Sequence, residues 1–499
     1  MGIVLKQSLK NTFFIYLGFA FGGINTLFLY TRFLEEEYYG LVTFLLSTSN
    51  LLMPLIALGI HHTIVKFFSS YFTKEEKDKF LSSVVFLPLL IAIPIAYFGN
   101  IFYQEIGDYL SKKNPIIKDY TIVIYLIAVA CAYFEIFYSW AKVQFQTVFG
   151  NILKELWNRV VVMLLLFAVY FEFISKPEFI YYLTAAYFLR MFIMMFYALK
   201  LYVPKFTFAK PANFIEVLRF SGYIILAGSA GAIILDIDKF MIPGKETLAI
   251  AAYYSVAVFI GSFIEAPSRA MLNILQPLTS KTLNEDNQKE VGSLYKKSSI
   301  NLLLISGFFF VLINTNVQQL FNLLPEEYAG GGLVVLMISF LKMYNGFLGN
   351  NGAIINNSKF YKITLPVGIA MALSVYALNK LFYYEFEMGT NGLALSTLIV
   401  IFCANTFKLY FVKKKFSITP FTNKTAKMLA IIAILYFAFN FWDFPVDNIY
   451  VWDFPIHPII NIILKSILIV PVYILLIFKF NISPELDILL GKYYNKQSK

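Results

Sequence analysis

Fourteen stretches of about twenty mostly apolar residues, separated by short polar segments, run the length of this 499-residue chain. They lie near 12–31, 41–60, 80–102, 119–140, 155–173, 179–200, 215–237, 249–268, 300–320, 333–351, 363–383, 392–411, 428–445 and 458–479. About 20 apolar residues in a helix span the hydrocarbon of a bilayer. Backbone groups in lipid must be satisfied within the segment, so runs of this kind fold as helices. The charge content agrees: 14% of the residues are Asp, Glu, Lys or Arg, against about 25% in a soluble globular protein. That is too few to cover the soluble domains a chain of this length would make. An apolar share of 59% excludes disorder. The two cysteines, Cys131 and Cys403, sit inside apolar runs and read as small hydrophobes rather than a disulfide or metal framework. The expected fold is an all-α polytopic membrane protein of about 14 transmembrane helices.

The net charge of +11 would suggest nucleic acid if the basic residues clustered on one face. Instead they alternate with the apolar runs. An even number of spans puts both termini on one side. Taking that side as the cytoplasm places 29 of the 41 Lys and Arg in inner segments and 8 in outer ones. Arg159, Arg190, Lys342 and Lys465 remain inside the runs. Cytoplasmic loops carry an excess of Lys and Arg, so the basic charge is a topology signal and nucleic acid is not an expected partner. Lys6 and Lys10 precede a first run too long for a signal h-region and without a small-x-small cleavage pattern, so it reads as a retained span. No connecting segment has room for a catalytic domain. The longest, 269–299, reads as a polar cytoplasmic connector, and 73–79 as a capped, solvated loop.

An internal repeat divides the chain. Leu9-Lys10 opens the first run and Leu218-Arg219 the seventh; Thr31-Arg32-Phe33 ends the first and Asp238-Lys239-Phe240 the seventh, at nearly the same offset. Tyr39-Gly40 and Tyr254-Ser255 follow at a less regular spacing. The expectation is two pseudo-symmetric six-helix lobes, 1–210 and 211–415, with two accessory helices and a cytoplasmic tail in 416–499. Parallel repeats with a binding site between them are a transporter architecture.

Ionisable residues in mid-membrane point to the chemistry. A charge at a helix centre costs about 2.5–3.5 kcal/mol on insertion scales and normally faces a cavity or a partner. Arg190 lies midway along 179–200 and Lys342 midway along 333–351, whereas Arg159 and Lys465 lie nearer helix ends and could snorkel to headgroups. No run from 12 to 351 has an acid at its midpoint; Glu135 and Glu265 lie toward inner ends, Asp236 and Asp238 toward an outer end. Cations without matching central acids favour an anionic cargo, with Arg190, Lys342 and Arg159 as its binding set. The competing reading of Arg190 and Lys342 is a buried structural ion pair. Asp236-Ile237-Asp238 has the Asp-x-Asp form of sugar-nucleotide transferases but ends a membrane helix on the outer side. It reads instead as an outer gate or lobe contact with Arg32 and Lys239. Glu265 is the candidate for ion coupling, against simple i, i+4 pairing with Arg269. Gly18 with Gly22, and Gly346, Gly349 and Gly352, allow close helix approach. His61 and His62 project in different directions and make a poor metal site. With no Ser/His/Asp or Cys/His set and no phosphate-cradling glycine loop, neither catalytic residues, a metal nor a cofactor is expected.

Several motifs taken together resemble a known family. Tyr30-Thr31-Arg32-Phe33-Leu34, Tyr38-Tyr39-Gly40-Leu41, Leu58-Gly59-Ile60 and Val65-Lys66-Phe67 are similar to the first two helices of polysaccharide (O-antigen-type) flippases. Those belong to the multidrug/oligosaccharidyl-lipid/polysaccharide exporter superfamily. Asp236 to Ile242, Ala252 to Ala257, Ala266-Pro267 with Gln276-Pro277, and Asn345-Gly346 with Asn350-Asn351-Gly352 continue the likeness, over about residues 5–415. The resemblance implies a two-lobed, fourteen-helix protein of the bacterial inner membrane that flips a polyprenyl-(pyro)phosphate-linked oligosaccharide by ion-coupled alternating access. Its implied partners are that substrate, membrane lipid and polysaccharide-assembly proteins. Two alternatives stand beside it: a cation-coupled multidrug exporter of the same superfamily, and a membrane glycosyltransferase or polysaccharide polymerase. The last would need an outer or soluble catalytic domain that the chain lacks.

Overall fold

The computed structural model describes residues 2–447, 449–451 and 454–482. Lys492, Lys496 and Lys499, assigned above to the inner side, lie outside the described residues. In chain order the main helices are α1 (Lys10–Phe33), α2 (Glu36–Ala57), α3 (Lys74–Ile101), α4 (Pro115–Val143), α5 (Asn158–Tyr170), α6 (Lys176–Leu201) and α7 (Phe214–Gly244). They continue with α8 (Leu248–Ser262), α9 (Glu265–Asn284), α10 (Gln288–Thr315), α11 (Gly332–Phe347), α12 (Tyr361–Glu385), α13 (Gly389–Phe416), α14 (Asn423–Phe439) and α15 (His457–Lys479). The polytopic all-α expectation holds. Each of the fourteen apolar runs coincides with a helix, and 10 of these helices are long and apolar enough to cross a membrane by themselves. Extended structure among the described residues is one two-residue antiparallel ladder, Tyr450–Val451 with Phe454–Pro455, ahead of α15.

Local chemistry explains several boundaries. α3 and α6 each begin at a capping box: Thr73 with Glu76, and Ser175 with Glu178, each pair satisfying two otherwise orphaned N–H groups. The segment 269–299, expected as a polar connector, is instead helical on both sides of a three-residue turn. Ser268, Leu275, Thr279 and Thr282 are all buried, and their spacing of seven, four and three is that of one helix face. Hydropathy read residue by residue misses that stripe because three of its four residues carry hydroxyls. Asp286 takes a left-handed φ of 51° at the turn, and the Asn287 side chain accepts from the Glu290 N–H to start α10.

By contacts the chain forms two compact units, Met1–Ser255 with Leu365–Gly389, and Val256–Thr364 with Thr390–Lys499. These divisions are not those of the sequence repeat, since α7 and most of α12 fall in the first unit. Within it α4 packs along both α2 and α6, and α7 lies along α2. Trp140, Phe134, Phe80 and Met194 belong to one large buried apolar cluster within it. Thr63 and Ser221 share a hydrogen bond of 2.8 Å between the start of α7 and the segment after α2. In the second unit α10 packs against α11 and α14, and α14 against α15. Met428, Ile431, Ile469 and Tyr473 join Leu303 and Val311 in one buried cluster. The two C-terminal helices therefore contribute core, not only surface.

Gly40, in the Tyr39-Gly40 motif, is where α2 meets the start of α8. A Cβ there would collide with the backbone oxygen of Leu248 and lie 2.9 Å from its Cβ. Gly40→Val is expected to destabilise by roughly 1–3 kcal/mol through overpacking, seen as a lowered unfolding midpoint in detergent. Gly99→Ala is the control. Its added Cβ meets nothing within 4 Å, so stability should hold or rise as helix propensity improves.

Candidate functional site

Arg190, just past the middle of α6, is 6% exposed. Its guanidinium carbon lies 4.2 Å from the Phe134 ring centre and 4.9 Å from that of Tyr187. Tyr187 is one helical turn back on the same face; Phe134 comes from α4. Nη2 reaches Cys131 Sγ at 3.5 Å, a weak acceptor, and the buried Nε has no acceptor. Among the described residues no carboxylate pairs with Arg190. Aromatic faces attract a cation but cannot take hydrogen bonds in the plane of the guanidinium. What remains is a buried positive fork with an unsatisfied donor, the group that binds carboxylate or phosphate oxygens bidentately. Sequence reasoning singled out Arg190 but took Cys131 for filler and gave no signal for Phe134.

Arg159, also in the first unit, stands where two π-helical turns meet. One, Asn25–Leu29, interrupts α1, and Asn25 Nδ2 donates to the Arg159 carbonyl at 2.7 Å. The other, Leu153–Trp157, leads into α5. Arg159 Nη1 donates to the Glu155 carbonyl at 2.6 Å and lies 3.4 Å from the Glu155 carboxylate. A Cβ on Gly18 would collide with that guanidinium, so the glycine expected to permit close helix approach makes room for an arginine. π-Turns within helices concentrate at functional sites. Arg159 is half-buried beside Phe19.

In the second unit, Lys342 on α11 donates to the Glu265 carboxylate at the start of α9. The expectation of a central cation without an acid does not describe Lys342, because folding of α9 brings a distant carboxylate to it. Arg269 acts on the same carboxylate electrostatically. Lys465, for which snorkelling to headgroups is one of two readings, is 1% exposed. It donates to Asp443 at 2.7 Å and to the Thr315 carbonyl at 2.8 Å.

The residues read as an outer gate divide into two kinds. Asp238 is buried, accepting from Tyr254 Oη at 2.6 Å and Asn379 Nδ2 at 2.7 Å. Asp236 is partly exposed, 4.0 Å from Lys239. Arg32 is exposed and lines an open cavity of about 820 Å³ with Glu35, Tyr38, Glu172 and Lys176. The rings of His61 and His62 lie 4.2 Å apart. Among the described residues no group of three or more His, Cys, Asp or Glu converges on a metal-sized point.

With this geometry in view, known proteins supply context. Residues 8–283 match the model of a family described as polysaccharide biosynthesis protein, as the sequence motifs led one to expect. An uncharacterized membrane protein of Methanocaldococcus jannaschii, MJ1068, is 24% identical over 430 residues, spanning 81% of this chain and 83% of that protein. Among solved structures, the lipid II flippase MurJ in an inward closed conformation superposes with a TM-score of 0.68 at 15% identity, covering 95% of this chain and 99% of that one. A multidrug resistance MATE family transporter of the MOP superfamily, inward-facing, gives 0.63 at 13% identity, covering 82% and 98%. These likenesses establish a multi-pass membrane protein with the fold of that transporter superfamily.

Proposed function

The chain belongs to the polysaccharide biosynthesis protein family, and from that premise we propose that it is a flippase for a polyprenyl-(pyro)phosphate-linked oligosaccharide. It acts in the cytoplasmic membrane with both termini inside, handing its cargo to polysaccharide-assembly proteins. The observation that carries this reading is Arg190: a buried guanidinium with a free donor and no carboxylate partner among the described residues. A diphosphate crossing the low-dielectric layer loses its water, and a preformed cationic fork replaces those hydrogen bonds. Arg159 supports the same anion. A cationic drug would instead need a buried acid left free. Asp238 is engaged by Tyr254 and Asn379, and Glu265 by Lys342, which disfavours the multidrug reading. No fold of catalytic type is called for, and we assign no enzymatic activity.

Transport proceeds by alternating access between the two repeat-related segments, 1–210 and 211–415. Arg32, Asp236 and Lys239 form the outer gate, and Asp238 is its anchor. Glu265 couples the cycle to an ion. Protonation of its carboxylate releases Lys342, with Arg269 the further charge that acts on the carboxylate. The test is reconstitution in liposomes with a fluorescent undecaprenyl-diphosphate-linked saccharide, reading the fraction that crosses the bilayer with and without an imposed pH gradient. Wild-type protein should accelerate crossing, more so with the gradient. Glu265→Gln should cross at one rate in both conditions. No acceleration by the wild-type protein would end the flippase reading, and an unaltered gradient response in Glu265→Gln would remove Glu265 from coupling.

A further inference from the structure

The first unit holds a second feature that the cationic site does not use. α2, α3 and α4, with the short helix Tyr103–Leu110, enclose a cavity of about 710 Å³ whose lining is almost wholly apolar. Apart from the exposed Asn100, its polar side chains are engaged with the backbone. Thr48 Oγ1 donates to the Phe44 carbonyl at 2.7 Å, Thr121 Oγ1 to Ile117 at 3.1 Å, Tyr125 Oη to Ala92 at 3.0 Å and Tyr103 Oη to Lys118 at 3.3 Å. Four hydroxyls that line the space are thus engaged with backbone carbonyls, and the tyrosines contribute apolar ring surface to the lining. A cavity of this character holds water poorly; an engineered apolar cavity of about 150 Å³ stays dry and binds benzene. Beyond the Asn100 amide it offers nothing to a sugar, a phosphate or a cation. Hydrocarbon suits it.

We infer that this cavity binds the polyprenyl tail of the substrate whose diphosphate sits at Arg190, an inference that rests on the flippase reading above. Two observations favour the tail over a phospholipid chain. First, the space is between four and five times that benzene-binding volume. That corresponds to some 25–30 carbons, more than one ordinary acyl chain and about five or six isoprene units. Second, the head and tail sites share α4. Ile124 lines the cavity and Cys131 contacts Arg190; seven residues apart, they lie on one helix face, about 10 Å along the axis. One lipid can reach both. Leu55 and Ile122 on the lining are each 45% exposed, so the cavity opens on the lipid-facing surface and a long tail can run out into the bilayer.

Gly99 makes the inference testable. It lines the cavity, and a Cβ there meets nothing within 4 Å, so a side chain can grow into the space without a clash. Binding is measured by native mass spectrometry with undecaprenyl phosphate and geranyl phosphate, which share a headgroup and differ in tail length. Wild-type protein should prefer the long tail by at least about tenfold, a ratio that needs fewer than two additional buried methylene groups. Gly99→Phe should bring the ratio near one by weakening undecaprenyl phosphate far more than geranyl phosphate, and Ala96→Leu should fall between. An unchanged ratio in both variants, or photo-crosslinks from benzoylphenylalanine at position 122 that carry only phospholipid, overturns the tail site and leaves the flippase reading standing. Failure of the wild-type protein to bind either prenyl phosphate sinks the flippase reading itself, and this inference with it.

Discussion

Arg190→Met is expected to lower export of the saccharide by about ten- to a hundredfold while the protein remains at normal abundance in the membrane. The magnitude follows from losing charge-assisted hydrogen bonds, each worth about 1.5–3 kcal/mol, from the state in which the diphosphate has lost its water. The stability expectation is the opposite of that for most buried residues. An unpaired buried charge costs free energy to desolvate, and here only two aromatic rings and a thiol answer it. Methionine keeps the unbranched stem out to about the position of Nε and removes the guanidinium with its charge, so the unfolding midpoint in detergent should hold or rise. Arg190→Lys keeps the charge but not the planar fork, and should retain export in part. Export and unfolding midpoint are measured on the same preparations. Normal export from Arg190→Met would remove the anion site. Loss of protein together with export would make Arg190 a structural residue.

The difference between what was legible beforehand and what was not has a physical basis. Apolar runs of bilayer length specify helices almost regardless of neighbours, because lipid offers the backbone no other partner; all fourteen are present. α9 was missed because its buried stripe is made of Ser268, Leu275, Thr279 and Thr282, which periodicity identifies and hydropathy does not. Among the interior cations, depth in the run set Arg190 and Lys342 apart from Arg159 and Lys465 but did not tell a paired cation from an unpaired one. Separation depends on partners distant in sequence: Glu265 lies 77 residues from Lys342, and Thr315 lies 150 residues from Lys465. The repeat found Asp236, Asp238 and Lys239 as a group. It gave no sign that Asn379, from α12, would hold Asp238 in the interior.

Lys465 provides the complementary case, and its replacement should have the largest effect on stability. It is 1% exposed, and Asp443, with a side chain 35% exposed, receives its ammonium at 2.7 Å. The Thr315 carbonyl accepts from the same nitrogen, and Gln319 donates to the other Asp443 oxygen at 3.1 Å. Removing one partner of a buried pair typically costs about 3–5 kcal/mol because the other charge is left alone. The exposure of Asp443 puts Lys465→Met near the lower end, about 3 kcal/mol, and deprives a carbonyl of its donor as well. The double variant Lys465→Met, Asp443→Asn removes both charges and should recover most of that loss. Coupling between the two sites in a thermal-unfolding cycle is the measurement. Export per folded molecule should be near normal in the double variant, since a cation already answered by an acid in its own unit has little left to offer an anionic cargo. Additive losses would show that the pair does not act as one. A double variant that is stable yet inactive would place Lys465 beside Arg190 among the cations that handle substrate.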